Sequence, residues 1–226
     1  MTMQQWLGIS DSHLVKFDEK HSFHAEVVQP FLTLQSNAQR AGIDLQLVSS
    51  FRGFNKQCSI WERKWNGQLP LLSAENQVIP IDGLTDTEKM HAILHWSALP
   101  GASRHHWGTD MDVYDKSSVE NSGKELQLIE AEYRGNGPCA LLSDWLDKNA
   151  SKYGFYRPYA NFNGGIGAEP WHISFKPVAD KIARTFDKQQ LHELIATSKL
   201  SGKSIVLQHF DEIYYRYVLN HGIPRL

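Results

Sequence analysis

Two short stretches far apart in the chain, DMDVYD at 110–115 and PWHISF at 170–175, constrain the fold more than anything else in the sequence. Both alternate with a period of two, the pattern of β-strands. In the first, Met111 and Val113 fall on one face, and Asp110, Asp112 and Tyr114 on the other. In the second, Trp171, Ile173 and Phe175 share an apolar face, while His172 and Ser174 share a polar one. The apolar faces suit a core, so Asp112 and His172 are both directed away from it.

Around these strands the patterns are mostly helical. Residues 22–42 place Phe23, Val27, Phe31 and Leu34 at helical spacing and stop at Gly42, with Pro30 weakening the middle. LQLVSS at 45–50 predicts a strand, and Phe54–Trp65 a helix with Trp61 and Trp65 on one face. Residues 66–84, rich in Gly, Pro, Asn and Ser, predict a loop. Thr85 is placed to cap a helix over 85–99, with Glu88 at the capping-box position and Pro100-Gly101 ending it. Residues 138–152 predict a helix with Leu141, Leu142, Trp145 and Leu146 inward. The C-terminal part predicts helices over 177–198 and 205–219, separated by Ser201-Gly202. Strands and helices do not alternate regularly, which predicts an α+β fold rather than a doubly wound sheet. The expected architecture is a small antiparallel sheet flanked by helices, with a catalytic domain over 1–176 and a helical extension over 177–226 packed on it.

With 226 residues, 41% of them hydrophobic, the chain can bury a core that needs no disulfide or metal staple. A metal site here is therefore expected to be catalytic. The net charge of -2 and the lack of a Lys/Arg block argue against nucleic acid as a partner. The N-terminus, MTMQQWLGI, has no basic region followed by an apolar one. No stretch approaches the ~18 apolar residues of a membrane span. A cytoplasmic location is expected, unless export takes another route or a signal has been removed. Cys58 and Cys139 form no Cys-x-x-Cys pair; two buried free thiols are the simpler expectation and a single bridge the alternative. The oligomeric state is not legible.

The eleven histidines raise the question of a metal. A catalytic zinc takes three protein ligands from His, Asp, Glu or Cys and leaves one position for water. The helical His-Glu-x-x-His solution is absent, because His192-Glu193 is followed by Ala196 where the second His belongs. His91 and His95 lie one turn apart, but Ala92 occupies the base position, so ordinary boundary histidines are expected there. The segment 103–112 is better placed. His105 precedes the first strand, Gly108 permits a tight turn, and Asp112 faces outward to meet His105. Glu169-Pro-Trp-His172 supplies a third ligand from elsewhere. Strict alternation sets Glu169 and His172 on opposite faces, so a bend at Gly167 and Pro170 must bring Glu169 round. On the residues alone, two half-buried strands with polar outer faces remain the competing account.

The combination Ser-x-His-x-x-Gly-x-x-x-Asp at 103–112 followed by Glu-Pro-Trp-His at 169–172 resembles the D-alanyl-D-alanine carboxypeptidase and dipeptidase family. These VanY-like zinc peptidases include the vancomycin-resistance enzymes and relatives among phage endolysins. They share a zinc fold with lysostaphin-type enzymes and the hedgehog signalling domain. Ser49-Ser-Phe-Arg52-Gly-Phe-Asn-Lys-Gln57 is similar to the family's Ser-x-Tyr-Arg-Ser segment with its downstream Gln. The resemblance implies a sheet bearing Zn2+ held by His105, Asp112 and His172, with Glu169 as general acid/base and Arg52 stabilising the transition state. It implies hydrolysis of D-Ala-D-Ala-type bonds in peptidoglycan-derived peptides. In that chemistry zinc lowers the pKa of a water to ~7, Glu169 carries its proton to the leaving amine, and Arg52 neutralises the oxyanion. Ser103 and Gln57 are candidates for binding the substrate's polar ends, or for capping turns. Asp110 stands where the family usually has a small residue, and the Gly-Gly-Ile-Gly run at 164–167 reads as unusually flexible. The alternatives are a dipeptidase, an endolysin-like endopeptidase, and a non-catalytic zinc-stabilised binding module. Intact Glu169 and Arg52 argue against the last, since a pure binder needs neither.

Overall fold

The computed structural model describes residues 1–223. After α1 (Met3–Trp6), a hairpin of β1 (Leu14–Lys16) and β2 (Ser22–His24) leads into α2 (Ala25–Arg40). The helix predicted from 22 thus begins three residues later, because 22–24 are taken into the hairpin. Pro30 sits inside α2 without ending it. Next come β3 (Leu45–Ser49) and α3 (Phe54–Trp65), both close to the sequence expectation. The predicted loop at 66–84 contains a small hairpin, β4 (Leu71–Leu72) and β5 (Val78–Ile79). Then α4 (Asp86–Trp96) starts at the expected box: Glu88 N–H donates to Thr85 Oγ1 (3.2 Å) and Thr85 N–H to Glu88 Oε2 (2.9 Å).

A 3-10 turn at Arg104–Trp107 precedes β6 (Asp110–Asp115), which runs into α5 (Lys116–Ser122). The remaining elements are α6 (Ala140–Asn149), β7 (Phe155–Tyr156), β8 (His172–Phe175), α7 (Lys176–Thr185), α8 (Lys188–Thr197), α9 (Lys203–Gln208), α10 (Phe210–Ile213) and a π-turn at Tyr214–Val218. Two expectations are corrected here. Leu141 points to solvent at 70% exposure, and α6 turns Leu142 and Leu146 inward instead. The helix predicted over 177–198 is two helices, broken at Phe186 and restarted where Asp187 caps α8 through the Gln189 and Gln190 amides.

β3, β6, β8 and β7 form the main sheet in that order, with every neighbouring pair antiparallel. This is the α+β arrangement expected from the sequence. The predicted parity holds: Met111, Val113 and Ile173 are fully buried in the main core. The opposite face is not solvated, however; Asp110 and Ser174 are also fully buried. Trp171 lies just before β8 and packs in a separate cluster with Val119, Tyr133 and Cys139. The main core reaches from Trp6 to Tyr217, so the C-terminal helices share it with the sheet. Trp61 Nε1 donates to the Ser201 carbonyl (3.0 Å), and Glu62 accepts from both Ser201 N–H and Oγ. Residues 224–226 of the predicted extension lie outside the described residues. Both cysteines are free, Cys139 buried and Cys58 half-buried. Among the described residues no helix is long and apolar enough to cross a membrane.

Candidate active site

Register brings the site together. Asp112 stands opposite Ser49 of β3 on one side and His172 of β8 on the other. A bulge between Leu47 and Ser49 sets that pairing. Directly opposed residues of an antiparallel pair have Cβ atoms only ~5 Å apart, so three functional side chains line up across three strands. His105 arrives from the 3-10 turn. Gly108 closes the turn at φ +69, and a Cβ there would collide with Leu14 and the His24 backbone. One ligand atom each from His105, Asp112 and His172 lies within 4.8 Å of the others, and all three residues are buried.

The hydrogen bonds around this group leave its lone pairs pointing inward. His105 Nδ1 faces the Ser50 carbonyl at 2.8 Å. A carbonyl only accepts, so Nδ1 carries the proton and Nε2 is left free. His172 Nε2 faces Asp110 Oδ1 at 3.0 Å, which leaves Nδ1 free. Asp112 Oδ2 accepts from Ser49 Oγ at 2.6 Å, while its buried Oδ1 makes no well-aligned hydrogen bond and faces His172 Nδ1 at 3.2 Å. An orphaned carboxylate oxygen between two imidazole lone pairs is costly unless a cation completes it. The donor set therefore fits zinc. Burial lowers the His172 pKa, but Asp110 and Asp112 at its two nitrogens outweigh that and raise it to about 10. A dication at Nδ1 competes with that proton, as at any metal site. Among the described residues, the His91–His95 pair gathers no such triad. His91 instead meets the Tyr217 hydroxyl at 2.9 Å.

Glu169 reaches the same place through a turn. His172 N–H donates to the Glu169 carbonyl (3.1 Å), and Pro170 follows Glu169 at the position a β-turn favours for proline. This is the bend the sequence required, and it sets Glu169 Oε2 3.4 Å from His172 Nδ1. Burial pushes the Glu169 carboxyl up to about 7; His172, Arg52 and Lys64 pull against this and Asp112 reinforces it. Lys64, on α3, was not singled out from the sequence. Burial lowers its amine to about 8, with Glu169 opposing and Arg52 reinforcing.

A cleft of about 260 Å³ opens onto this group. Arg52, Ser103, His105, Asp112, Glu169 and His172 all line it, as do Trp96, Tyr159 and Ile166. Ser103 precedes the 3-10 turn, but its hydroxyl does not cap it. Gln57 is not among the residues that line the cleft. It is fully buried behind Arg52, accepts from Arg52 Nη1 at 3.0 Å and donates to the Ala98 carbonyl at 2.7 Å. Both ends of its amide are committed within the protein, so its contact with the cleft is through the Arg52 guanidinium that it holds. The Arg52 backbone is fixed too: its carbonyl accepts from His106 Nδ1, and its N–H donates to the His105 carbonyl at 3.2 Å.

Asp110 does not line the cleft. It accepts from Arg104 Nε (2.7 Å), Thr109 Oγ1 (2.6 Å), Ser174 Oγ (2.9 Å) and His172 Nε2. Burial pushes its carboxyl up, but Arg104 and His172 hold it well below the usual carboxylate range. Arg104 also donates to the Tyr156 hydroxyl and to Ser174 Oγ. No local signal marked Arg104 in the sequence, because its partners lie up to 70 residues away.

Residues 20–178 match the family described as VanY: D-alanyl-D-alanine carboxypeptidase. The chain belongs to that family. A Haemophilus influenzae protein of uncharacterised function is 32% identical over 123 residues, spanning 54% of this chain and 93% of that one. A D-alanyl-D-alanine carboxypeptidase of Enterococcus faecalis is 27% identical over 152 residues, covering 66% of this chain and 46% of that protein. Among solved structures, VanYB in complex with D-alanine-D-alanine superposes with a TM-score of 0.54 at 22% identity, over 84% of this chain and 91% of that one. The vancomycin-resistance D,D-pentapeptidase VanY in complex with Zn(II) gives 0.53 at 22% identity, over 76% and 84%. At such identities the structural likeness speaks for the fold. Membership of the VanY family makes the chain a carboxypeptidase-like peptidase of peptidoglycan.

Proposed function

We propose that this chain is a zinc-dependent D,D-carboxypeptidase that removes the terminal D-Ala from peptides ending in D-Ala-D-Ala. The observation that carries the proposal is the buried Asp112 carboxylate converging with His105 Nε2 at 3.4 Å and His172 Nδ1 at 3.2 Å, with Glu169 beside them. His105, Asp112 and His172 would hold the metal. Zinc bound there supplies a Lewis acid for the scissile carbonyl and lowers the pKa of a water to ~7. Glu169 sits where it can take a proton from the attacking water and deliver it to the leaving amine, and its raised pKa suits both transfers. Arg52, held by Gln57, presents a fixed guanidinium to the oxyanion. Ser103, with its hydroxyl uncommitted to the turn, is placed to bind a polar end of the substrate. The D-Ala-D-Ala bound to VanYB supports the choice of substrate.

The test is a product assay by mass spectrometry on a muramyl pentapeptide, free D-Ala-D-Ala and a cross-linked muropeptide. Release of D-Ala from the pentapeptide, abolished by chelation and restored by zinc, is expected. Cleavage of the free dipeptide alone would make the enzyme a dipeptidase, and ready cutting of the cross-link an endopeptidase. Zinc binding with no turnover on any of the three would favour a binding module.

A further inference from the structure

The Gly-rich loop at 164–167 runs directly into Glu169, and it is not loose. Residues 164–168 are all buried. Arg216 Nε, on the π-turn, donates to the Gly164 carbonyl. Asn220 Oδ1 accepts from Ile166 N–H at 3.2 Å, and the Asn220 carbonyl accepts from Asn163 Nδ2 at 2.6 Å. Asn163 Oδ1 in turn accepts from Gly165 N–H at 3.1 Å. On the other side, Gly167 N–H donates to the His95 carbonyl of α4 at 2.9 Å.

The glycines are what lets these partners approach. A Cβ at Gly165 would fall against the Arg216 carbonyl and Asn220 Oδ1, and one at Gly167 against the Trp96 ring. Asn220 itself adopts φ +51, a left-handed conformation that Asn tolerates better than most residues. The π-turn is secured to α4. Glu212 accepts from Arg216 Nη1 at 3.1 Å and faces His91 Nε2 at 3.7 Å, while Tyr217 meets His91. Arg216 and Asn220 both lie beyond residue 178, where the family match ends.

We propose that Arg216 and Asn220 are positioning residues for the peptidase reaction, bracing the glycine loop so that Ile166 stays against the cleft and Glu169 stays over the His105–Asp112–His172 group. The inference rests on the carboxypeptidase reading above. Three glycines in four residues give the unbraced loop high conformational freedom. The Glu169 amide is anchored separately to the Tyr159 carbonyl at 2.9 Å, so the brace governs the path of the chain up to that anchor. The C-terminal segment contributes no residue to the cleft lining among the described residues, so its influence passes through the loop.

The experiment compares Asn220→Gly with Asn220→Asp in the zinc-loaded protein. Glycine keeps the backbone conformation but removes the acceptor; aspartate keeps both. Three quantities are read: zinc stoichiometry, amide exchange at Ile166, and kcat and KM on a D-Ala-D-Ala-terminated pentapeptide. Asn220→Gly is expected to bind one zinc, to exchange faster at Ile166, and to lose up to ~10²-fold in kcat, the scale of a ~1 Å misplacement far from the chemistry. Asn220→Asp is expected to behave like wild type. Faster exchange with unchanged kcat, or equal impairment of both variants, would overturn the proposal. If Asn220→Gly does not fold, Arg216→Gln is read in the same way. If wild-type protein has no peptidase activity, the functional reading fails by itself; the brace is then judged on Ile166 exchange alone, and wild-type exchange in Asn220→Gly would sink it.

Discussion

Asp110→Asn separates a residue that supports the metal site from one that takes part in the chemistry. Asp110 is fully buried and accepts four hydrogen bonds, one of them from the ring nitrogen of His172 that faces away from the triad. The carboxylate fixes the His172 tautomer and makes Nδ1 a better donor. Asparagine keeps the shape and one acceptor oxygen but removes the charge. Loss of such an outer partner typically weakens metal affinity by about 10–100-fold, which at ~1.4 kcal/mol per tenfold is about 1.4–2.8 kcal/mol. Asp110→Ala goes further. It leaves the Arg104 guanidinium, only 15% exposed, without its carboxylate. Breaking a buried pair in this way costs about 3–5 kcal/mol of stability, against a typical total of about 5–15. The assay is zinc competition against a chromophoric chelator, alongside urea unfolding of the same variants. Wild-type zinc affinity in Asp110→Asn would refute the support role. Unchanged affinity with turnover abolished would place Asp110 in the chemistry itself.

Other outcomes follow from the same geometry. Glu169→Gln should retain one zinc and lose about 10²–10⁴-fold in kcat; turnover within a few-fold of wild type would mean that another group is the base. Arg52→Lys keeps the charge without the planar fork, so kcat should fall more than KM rises, and a pure KM effect would reduce Arg52 to substrate binding. Gln57→Leu should reproduce part of the Arg52 defect, up to ~10²-fold in kcat, and a change confined to KM would assign Gln57 to substrate binding, one of the two roles expected from the sequence. Burial holds the His106 imidazole down at about 3, with the Arg52 carbonyl opposing and the Arg52 and His105 charges reinforcing. Its pKa is depressed in the folded state, so the unfolded chain takes up the proton first. The stability it contributes is complete above about 6.5 and is lost as pH falls towards about 3, at up to ~1.4 kcal/mol per pH unit. Urea unfolding of chelated protein between neutral pH and the acid limb should therefore show a shallower slope in His106→Asn, and equal slopes would refute the assignment.

The local pieces of the site follow from neighbouring residues. Period-two alternation in 110–115 and 170–175 is a property of the neighbouring residues, and so the strand parity of Met111, Asp112, Val113 and His172 was legible. The Thr85–Glu88 box was legible for the same reason, since both partners lie within one turn. Even the bend before His172 was required by the conflict between strict alternation and a shared face for Glu169. The sequence alone did not show that the polar face of β6 and β8 is buried, because each strand's polar groups are enclosed largely by the other strand and by Arg104, whose further partners lie 52 and 70 residues away. Gln57 was legible only as a candidate for substrate binding or turn capping; that it lies behind Arg52 with both ends of its amide occupied emerged with the fold. Asp110 stood out in the sequence only as a departure from the family's usual small residue; its role became legible when Arg104, Ser174 and His172 closed around it. The glycine run at 164–167 read as flexible because flexibility is what glycine confers locally; the Arg216 and Asn220 contacts that pin it come from more than fifty residues away. Local propensity decides which elements form and which way their side chains point. Which polar groups find each other in the interior is decided only when distant segments close over them and burial forces each to be satisfied.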